Sequence, residues 1–230
     1  MRILVLETST EWCSVAVGDG GRWHARDELA GQAHSERALV LCAELLAEAG
    51  WPLGSLDGIA FGAGPGSFTG IRIACGLAQG LALPGDLPVV PVPTLAALAQ
   101  SAWTTGGHAR VVACLDARMR EVYVAAYARR GEGWEEIAAP AVLAPAAVAG
   151  PGGEGWFGAG NGFGAYPDLA PRLQLAAVDA ALRPTAQAVG ELALPRLVAG
   201  EGVGAADALP VYVRHRVALT TAERDAGARL

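Results

Sequence analysis

The chain carries the same short pattern twice: an apolar run, a polar turn that begins with an acidic residue, and a second apolar run. The first copy spans residues 3–17 and turns at Glu7, and the second spans residues 111–127 and turns at Asp116. Apolar runs of this length on either side of a polar turn predict two buried strands. Because the pattern recurs in the second half, the chain is predicted to fold as two similar lobes with a cleft between them.

The rest of the first half alternates between strand and helix. The predicted elements are a third strand over 23–29, a helix capped by Ser35 and ending near Ala49, a strand over 56–62, a helix over 71–83, a strand over 89–92 and a helix from Thr94 to about Trp103. This order indicates a mixed sheet with helices on its faces. The polar and Gly-rich residues 104–107 mark the predicted boundary between an N-terminal lobe, residues 1–104, and a C-terminal lobe, residues 105–230.

The second half has fewer regular segments. After the repeated pattern, the predicted elements are an Ala-, Pro- and Gly-rich loop with a short helix over 140–155, a strand from Trp156 into a Gly-rich turn at 160–162, a helix over 185–194 and a final short strand over 210–214.

The basic residues exclude several functions. All 17 are Arg, and the chain contains no Lys. P-loop nucleotide binding, a Schiff base with pyridoxal phosphate and kinase-type phosphate binding by Lys are therefore excluded. The formal net charge is −6 and the pI about 5.2, so the chain by itself is expected to bind nucleic acid poorly.

The cysteines indicate a reducing compartment. Cys13, Cys42, Cys75 and Cys114 form no Cys-x-x-Cys pair and lie in apolar runs, so buried free thiols are predicted. The apolar run after Met1 and Arg2 is too short for a signal peptide, and no apolar stretch is long enough to span a membrane. The predicted location is the cytoplasm, without contact to a membrane.

Two loops have the residue types of a phosphate site. The segment from Gly64 through Gly66 and Ser67 to Gly70 enters a helix, where backbone N–H groups are able to bind an anion. A tight strand-to-helix turn that needs glycine explains the same residues and is favoured on this motif alone. The turn Glu7-Thr8-Ser9 would suit a metal–phosphate group or a simple polar turn.

The acidic turn of the second half also has two interpretations. Asp116 with Arg118, Arg120 and Glu121 would suit a catalytic or phosphate site, but an ion-paired turn is favoured. The four histidines have neither His-x-x-x-His nor His-x-x-Glu-His spacing, so no metal site is predicted.

Two helices carry apolar residues on both sides. In the helix from Ser35 a second stripe of small residues lies opposite the main apolar stripe, and in the helix over 71–83 only Arg72 and Gln79 are polar. The second faces consist of Val40, Ala43 and Ala47 in the first helix, and Ile73, Gly76, Leu77 and Gly80 in the other. Gly76 and Gly80 would allow a close approach of another helix. Either the chain itself or another protein must cover these faces.

These motifs together resemble one family, TsaB, also called YeaZ. The resemblance rests on the start of the chain over 3–16, His34 to Arg37, the Gly-rich loop over 62–73, residues 93–99 and residues 115–123; beyond these, only 160–162 and 210–214 match. It implies an α/β fold of two duplicated actin-like ATPase (ribonuclease H-like) lobes, each a mixed β-sheet with flanking helices. The C-terminal lobe would be the reduced one, and its tail is expected to pack back on the first lobe.

The resemblance also implies a function. TsaB proteins are non-catalytic companions of the catalytic subunit TsaD in forming threonylcarbamoyladenosine beside the anticodon of tRNAs that read codons beginning with A. The ATPase TsaE completes the complex. The implied partners are TsaD through direct helix–helix contact, TsaE and tRNA through the complex, and a second copy of the chain when it is alone. The implied docking residues are Val40, Ala43, Ala47, Arg72, Ile73, Gly76, Leu77 and Gly80.

The family comparison bears on cofactors as well. The metal-binding histidine pair of TsaD aligns with Thr94 and Leu98, which are poor metal ligands, and nucleotide-binding relatives usually have Asp where this chain has Glu7. The expectation is that no cofactor binds tightly and that the complex, rather than this chain, uses ATP or ADP and Mg²⁺. Glu7, Thr8, Ser9, Gly64, Gly66 and Ser67 would then be vestigial phosphate loops. An active small-molecule kinase or ATPase of the same fold is the alternative, and a metallopeptidase is disfavoured.

Overall fold

The computed structural model describes residues 1–214 and contains two five-stranded mixed sheets. The strands of the first sheet are β1 Ile3–Glu7, β2 Trp12–Gly18, β3 Trp23–Leu29, β4 Gly58–Gly64 and β5 Val89–Pro93. They lie in the order β3-β2-β1-β4-β5. The pairs β1–β2 and β2–β3 are antiparallel, and the pairs β1–β4 and β4–β5 are parallel.

The second sheet repeats this plan. Its strands are β6 Arg110–Asp116, β7 Val122–Arg130, β8 Gly133–Leu143, β9 Phe157–Ala159 and β10 Ala177–Asp179. Taken from β8, the order is β8-β7-β6-β9-β10, with the same antiparallel and parallel pairs at the same places. The prediction of a duplicated α/β fold with two mixed sheets is therefore confirmed.

Helices cover both faces of each sheet. They are α1 His34–Ala49, α2 Phe68–Ala82, α3 Thr94–Gly106, α4 Gly162–Ala165, α5 Leu169–Arg172 and α6 Ala186–Val198. Because side chains alternate along a strand, Leu4 and Leu6 of β1 pack under α1 and α2, whereas Ile3 and Val5 face the opposite side. In the second sheet, α3 packs on one face and α4 and α5 on the other.

The helix α6 follows the second sheet in the chain but packs on the first sheet. Its Val189 and Ala193 are buried in one cluster with Ile3 and Val5. Its first turn is held there because the Ser14 hydroxyl of β2 accepts a hydrogen bond from the Ala186 N–H at 2.7 Å. A helix from the second half of the sequence therefore completes the hydrophobic core on one face of the first sheet.

The ends of α1 and α2 differ from the prediction. The predicted cap Ser35 is wrong: α1 begins at His34, and the position before it is Ala33, which makes no side-chain cap. The predicted start of α2 at Ile71 is also wrong, because the Ser67 hydroxyl accepts from the Gly70 N–H at 3.3 Å and the helix begins at Phe68. The preceding strand runs over 58–64 rather than 56–62, since its pairing with β5 continues through Gly64.

In the second half, two strands lie where none was predicted and one predicted strand is absent. β8 extends to Leu143 through Pro140, which the sequence analysis placed in a loop; an edge strand tolerates Pro, because its outer N–H groups need no partner. β10 was not predicted. Residues 210–214 form no strand. Of the backbone hydrogen bonds within residues 1–214, this segment makes one, which the Val211 N–H donates to the Ala63 oxygen at 2.8 Å.

All four cysteines lie within the described residues, where they are buried and form no disulfide, as predicted. Burial raises the pKa of the Cys42 and Cys114 thiols to about 12, so these thiols are protonated and unreactive at neutral pH. Over residues 1–214, no helix combines the length and the apolar character that crossing a membrane requires. Residues 215–230, the end of the predicted C-terminal lobe, lie outside the described residues.

Candidate functional site

A cleft of about 740 Å³ lies between the two repeated turns. Its walls are the first turn at Ser9 and Thr10, the second turn over 115–118, the Gly-rich loop over 65–71 and the segment 211–214. The strands β1 and β6 hold equivalent positions in the two sheets, and their last residues are Glu7 and Asp116. The duplicated fold thus places the two acidic turns at the same cleft.

The carboxyl group of Glu7 is turned into the protein and does not line the cleft. The residue is 1% exposed, and its Oε1 accepts a hydrogen bond from the Ser9 N–H at 2.6 Å. Oε2 is buried against Gly62 and has no hydrogen-bond partner among residues 1–214. Burial raises the pKa of Glu7 to about 7, which the hydrogen bond from the Ser9 N–H only partly opposes. Glu7 is therefore poorly placed to hold a cation in the cleft.

The two candidate phosphate loops are packed directly on each other. The Thr8 hydroxyl donates to the Gly70 oxygen at 2.8 Å, and the Ser67 N–H donates to the Ser9 oxygen at 2.7 Å. A Cβ on Gly66 would lie 2.5 Å from the Ser9 oxygen, so glycine is needed for this close approach. The structure brings the predicted loop residues together, but the Ser67 amide is already bonded within the chain.

The second turn forms an ion pair, as the sequence analysis favoured. The Asp116 carboxylate accepts from the Arg118 backbone N–H at 2.9 Å and from its Nη1 at 3.0 Å. The Asn161 side chain accepts a hydrogen bond from the Asp116 N–H at 2.9 Å. This bond connects the turn to the residues that follow β9. Glu121 pairs with Arg214, and no partner of the Arg120 side chain is found among residues 1–214.

The positions aligned with the TsaD metal ligands are occupied by structural groups. The Thr94 hydroxyl accepts from the Gly64 N–H at 3.1 Å, and Leu98 is buried in the core between α3 and the second sheet. Over residues 1–214, no group of three or more His, Cys, Asp and Glu side chains has the arrangement of a metal site.

A second candidate surface is the outer face of α1 and α2. Val40 is 41% exposed, and Ala43 and Ala47 are exposed beside it. On α2, Ile73 and Leu77 are half-buried, and a Cβ on Gly76 or Gly80 would meet no atom within 4 Å. The described residues therefore leave this face uncovered, although the opposite faces of both helices are buried on the sheet. We call it the α1/α2 face.

Sequence analysis missed several apolar side chains of this region. Leu39 lies four and eight residues before Ala43 and Ala47, so helical spacing alone places it on the same face. Phe68 stands four residues before Arg72 but fell outside the helix predicted to start at Ile71. Leu83, which follows α2, is 73% exposed.

The segment 208–214 joins α2 to the second lobe along the cleft. The Ala208 oxygen accepts from the Gln79 side chain at 2.9 Å, and Tyr212 accepts from the Arg72 Nε at 2.8 Å. At the other end, Arg214 Nη2 donates to the Ala117 oxygen at 3.1 Å and to Glu121 Oε2 at 2.5 Å.

The duplicated mixed sheets and the cleft between their matching turns define a two-lobed protein of the actin-like type. A family model described as "TsaD: tRNA N6-adenosine threonylcarbamoyltransferase" matches residues 26–220. The solved structure of YeaZ from Pseudomonas aeruginosa is 45% identical and has a TM-score of 0.87, covering 92% of this chain and 99% of that chain.

Curated relatives agree with this assignment. The Escherichia coli "tRNA threonylcarbamoyladenosine biosynthesis protein TsaB" is 42% identical over 95% of this chain and 96% of its own length. The protein of the same name from Haemophilus influenzae is 39% identical over 94% of this chain and 95% of its own length. The chain belongs to the TsaB (YeaZ) family, as its motifs predicted.

Proposed function

We propose that this chain is a non-catalytic subunit that activates TsaD in the transfer of a threonylcarbamoyl group to the adenosine beside the anticodon of tRNAs reading codons that begin with A. It would act by docking its α1/α2 face on TsaD. TsaE and tRNA would join through the complex, and the chain would pair with a second copy when TsaD is absent. The relatives named for this biosynthesis support the proposal.

The observation that carries the docking is the α1/α2 face, which no part of residues 1–214 covers. Small and apolar side chains, with two glycines that have open space above them, allow a helix of another protein to approach closely. The face includes Val40, Ala43, Ala47, Ile73, Gly76, Leu77 and Gly80, and Arg72 lies on the same helix. Acidic composition argues for tRNA binding by the partner, because repulsion opposes binding of phosphates to this chain.

The geometry of the cleft supports the non-catalytic part of the proposal. Glu7 is buried away from the cleft, and the loops of Thr8, Ser9 and Ser67 are bonded to each other. A catalytic phosphate site would need such groups directed at the ligand. We propose that no cofactor binds this chain tightly and that ATP, ADP and Mg²⁺ are used by the complex.

The test is reconstitution from purified subunits. Threonylcarbamoyladenosine formation is measured with TsaD, TsaE, ATP, threonylcarbamoyl-adenylate and tRNA, with and without this chain, and co-elution of the chain with TsaD is followed. Dependence on the chain together with co-elution is expected. Product formation that is independent of the chain would contradict the proposal. ATP turnover by the isolated chain would favour the alternative, an active kinase or ATPase.

A further inference from the structure

Arg72 is held in one orientation by two aromatic residues. Its guanidinium carbon lies 3.7 Å from the centroid of the Phe68 ring and 5.6 Å from that of Tyr212. Its Nε donates to the Tyr212 hydroxyl at 2.8 Å, and the two rings are 6.0 Å apart. Stacking on a ring face and a hydrogen bond to one edge together restrict a side chain that is otherwise flexible.

The charge of Arg72 has no opposite charge beside it in the described part of the chain. No carboxylate of residues 1–214 lies within salt-bridge distance, and among these residues the two Nη groups have no hydrogen-bond acceptor. Arg72 is also the only Arg between positions 38 and 109, and the chain has no Lys. The α1 carboxylates Glu44 and Glu48 are both paired with Arg26.

The position of Arg72 connects it to the α1/α2 face. It lies four residues before Gly76 and eight before Gly80, on the exposed side of α2. Phe68 and Tyr212 beside it are 46% and 45% exposed. Pre-organised Arg and Tyr side chains of this kind often contribute much of the binding energy in protein interfaces, because little side-chain entropy remains to be lost.

We propose that Arg72, which Phe68 and Tyr212 hold in one orientation, binds the carboxylate of an Asp or Glu side chain of the partner protein. The inference rests on the proposed docking of the α1/α2 face and specifies its chemistry. The two Nη groups, which have no acceptor among residues 1–214, suit a carboxylate with two oxygens. A tRNA phosphate is disfavoured, since residues 1–100 hold five Arg against ten Asp and Glu, and a polyanion needs several cations together.

The experiment measures the affinity of the full chain for TsaD by calorimetry between 50 and 500 mM NaCl. The variants are Arg72→Gln, Arg72→Lys, Tyr212→Phe and Gly76→Leu. Arg22→Gln is the matched control, because Arg22 is exposed in the β2–β3 turn and the same charge is lost there. The affinity of the assembled complex for tRNA is measured in parallel.

We expect Arg72→Gln to weaken TsaD binding by about tenfold to a hundredfold and to reduce its salt dependence. Arg72→Lys should be intermediate, because it keeps the charge but loses the planar group, and Tyr212→Phe should cost about threefold through the lost orienting hydrogen bond. Arg22→Gln should have no effect. A further variant, Arg72→Glu, should bind TsaD more weakly than Arg72→Gln, and in a scan of Asp and Glu substitutions to Arg on TsaD one substitution should restore its binding.

Two results would distinguish a failure of the carboxylate contact from a failure of the proposed docking. If Gly76→Leu abolishes binding and Arg72→Gln does not weaken it, the α1/α2 face docks TsaD but the carboxylate contact is wrong. If neither variant weakens binding, the proposed docking itself is wrong. An unchanged affinity for TsaD combined with weaker tRNA binding by Arg72→Gln would show that Arg72 contacts a phosphate, which also overturns the inference.

Discussion

The buried Oε2 of Glu7 lies against the backbone of Gly62, in space that any larger residue at position 62 would fill. A Cβ there would overlap the carboxyl group. Gly62→Ala is therefore expected to destabilise the fold by roughly 1–3 kcal/mol, because the Glu7 carboxyl group would have to leave its buried position and its hydrogen bond to the Ser9 N–H. Urea unfolding of the parent protein and of Gly62→Ala measures this change in the free energy of unfolding.

The control for Gly62 is Gly54→Ala, since a Cβ at Gly54 meets nothing within 4 Å. It should change the unfolding free energy by less than about 0.5 kcal/mol. In addition, Gly62→Ala should cost less when Glu7→Ala is present, because the overlapping group is gone. Equal costs in the two backgrounds would contradict the contact.

The second prediction concerns pH and Glu7. Its pKa is about 7 in the folded protein and near 4.5 when unfolded, so the folded state keeps the proton to higher pH. The stabilisation from this group is complete below pH 4.5 and is lost as the pH rises through 7, a decline of roughly 3 kcal/mol. Glu7→Gln should be similar to the parent at pH 5 and more stable at pH 8.

Urea unfolding of both proteins at pH 5, 6, 7 and 8 tests this difference. Comparing the pair is necessary, because other groups titrate in the opposite sense. The pKa of Glu28 is lowered by hydrogen bonding to Arg37, so the stabilisation from that carboxylate is complete above about pH 4.5 and is lost as the pH falls. A difference between parent and Glu7→Gln that stays constant over the whole range would show that Glu7 does not titrate there.

The third prediction addresses the α1/α2 face. Gly76→Leu and Gly80→Leu should each weaken TsaD binding by more than about tenfold, since a large side chain would stand in the space that a docking helix needs. Folding should be unharmed, and a gain of about 0.5–1 kcal/mol is expected from the better helix propensity of Leu. Thermal unfolding followed by circular dichroism and binding by calorimetry are the measurements.

Gly133→Leu is the matched control for these helix variants. Gly133 begins the edge strand β8 in the other sheet, and a Cβ there has no neighbour closer than 3.9 Å. This variant should bind TsaD normally. Loss of binding in all three variants would point to a general effect of added Leu, and normal binding in all three would place the docking surface elsewhere.

The fourth prediction concerns the junction of Arg214 with Glu121 and the Ala117 oxygen. The Arg214 side chain is 12% exposed and that of Glu121 37%, so solvent screens the pair in part. Arg214→Ala should cost about 1 kcal/mol and should speed amide exchange at Val211, whose N–H bonds to Ala63. Hydrogen exchange by mass spectrometry reports on the segment.

Arg130→Ala serves as the comparison, because its pair with Glu135 is much more exposed. It should change stability by less than about 0.5 kcal/mol and leave exchange at Val211 unaltered. If Arg214→Ala had as little effect on Val211, the contacts of Ala208, Val211 and Tyr212 would hold the segment without Arg214.

The local sequence pattern was sufficient to predict the most regular strands. It failed where contacts with residues distant in the sequence determine the structure. The repeated strand–turn–strand units predicted both sheets, because buried runs and polar turns are local properties. The end of β4 was misjudged, since its glycines suggest a turn locally and only pairing with β5 keeps them extended. β8 was not predicted, and its end beyond Pro140 was placed in a loop, because a sequence does not reveal that a strand lies at a sheet edge.

The candidate sites, too, were predicted where local spacing determines them and were missed where contacts with distant residues determine them. Helical spacing was enough to find Gly76 and Gly80 on one face of α2. The inward turn of Glu7 depends on Gly62, which lies on a neighbouring strand, and the stacking of Arg72 depends on Tyr212, which is 140 positions later. Neither contact has a local sequence pattern that would predict it.

The placement of α6 on the first sheet has a consequence for synthesis on the ribosome. Ile3, Val5 and Ala16 are buried by a helix that ends at Val198, so a nascent chain exposes one apolar face of its first sheet until nearly all of the protein has been made. The first half is thus expected to need protection from aggregation during translation. A chain released before α6 should fail to fold cooperatively.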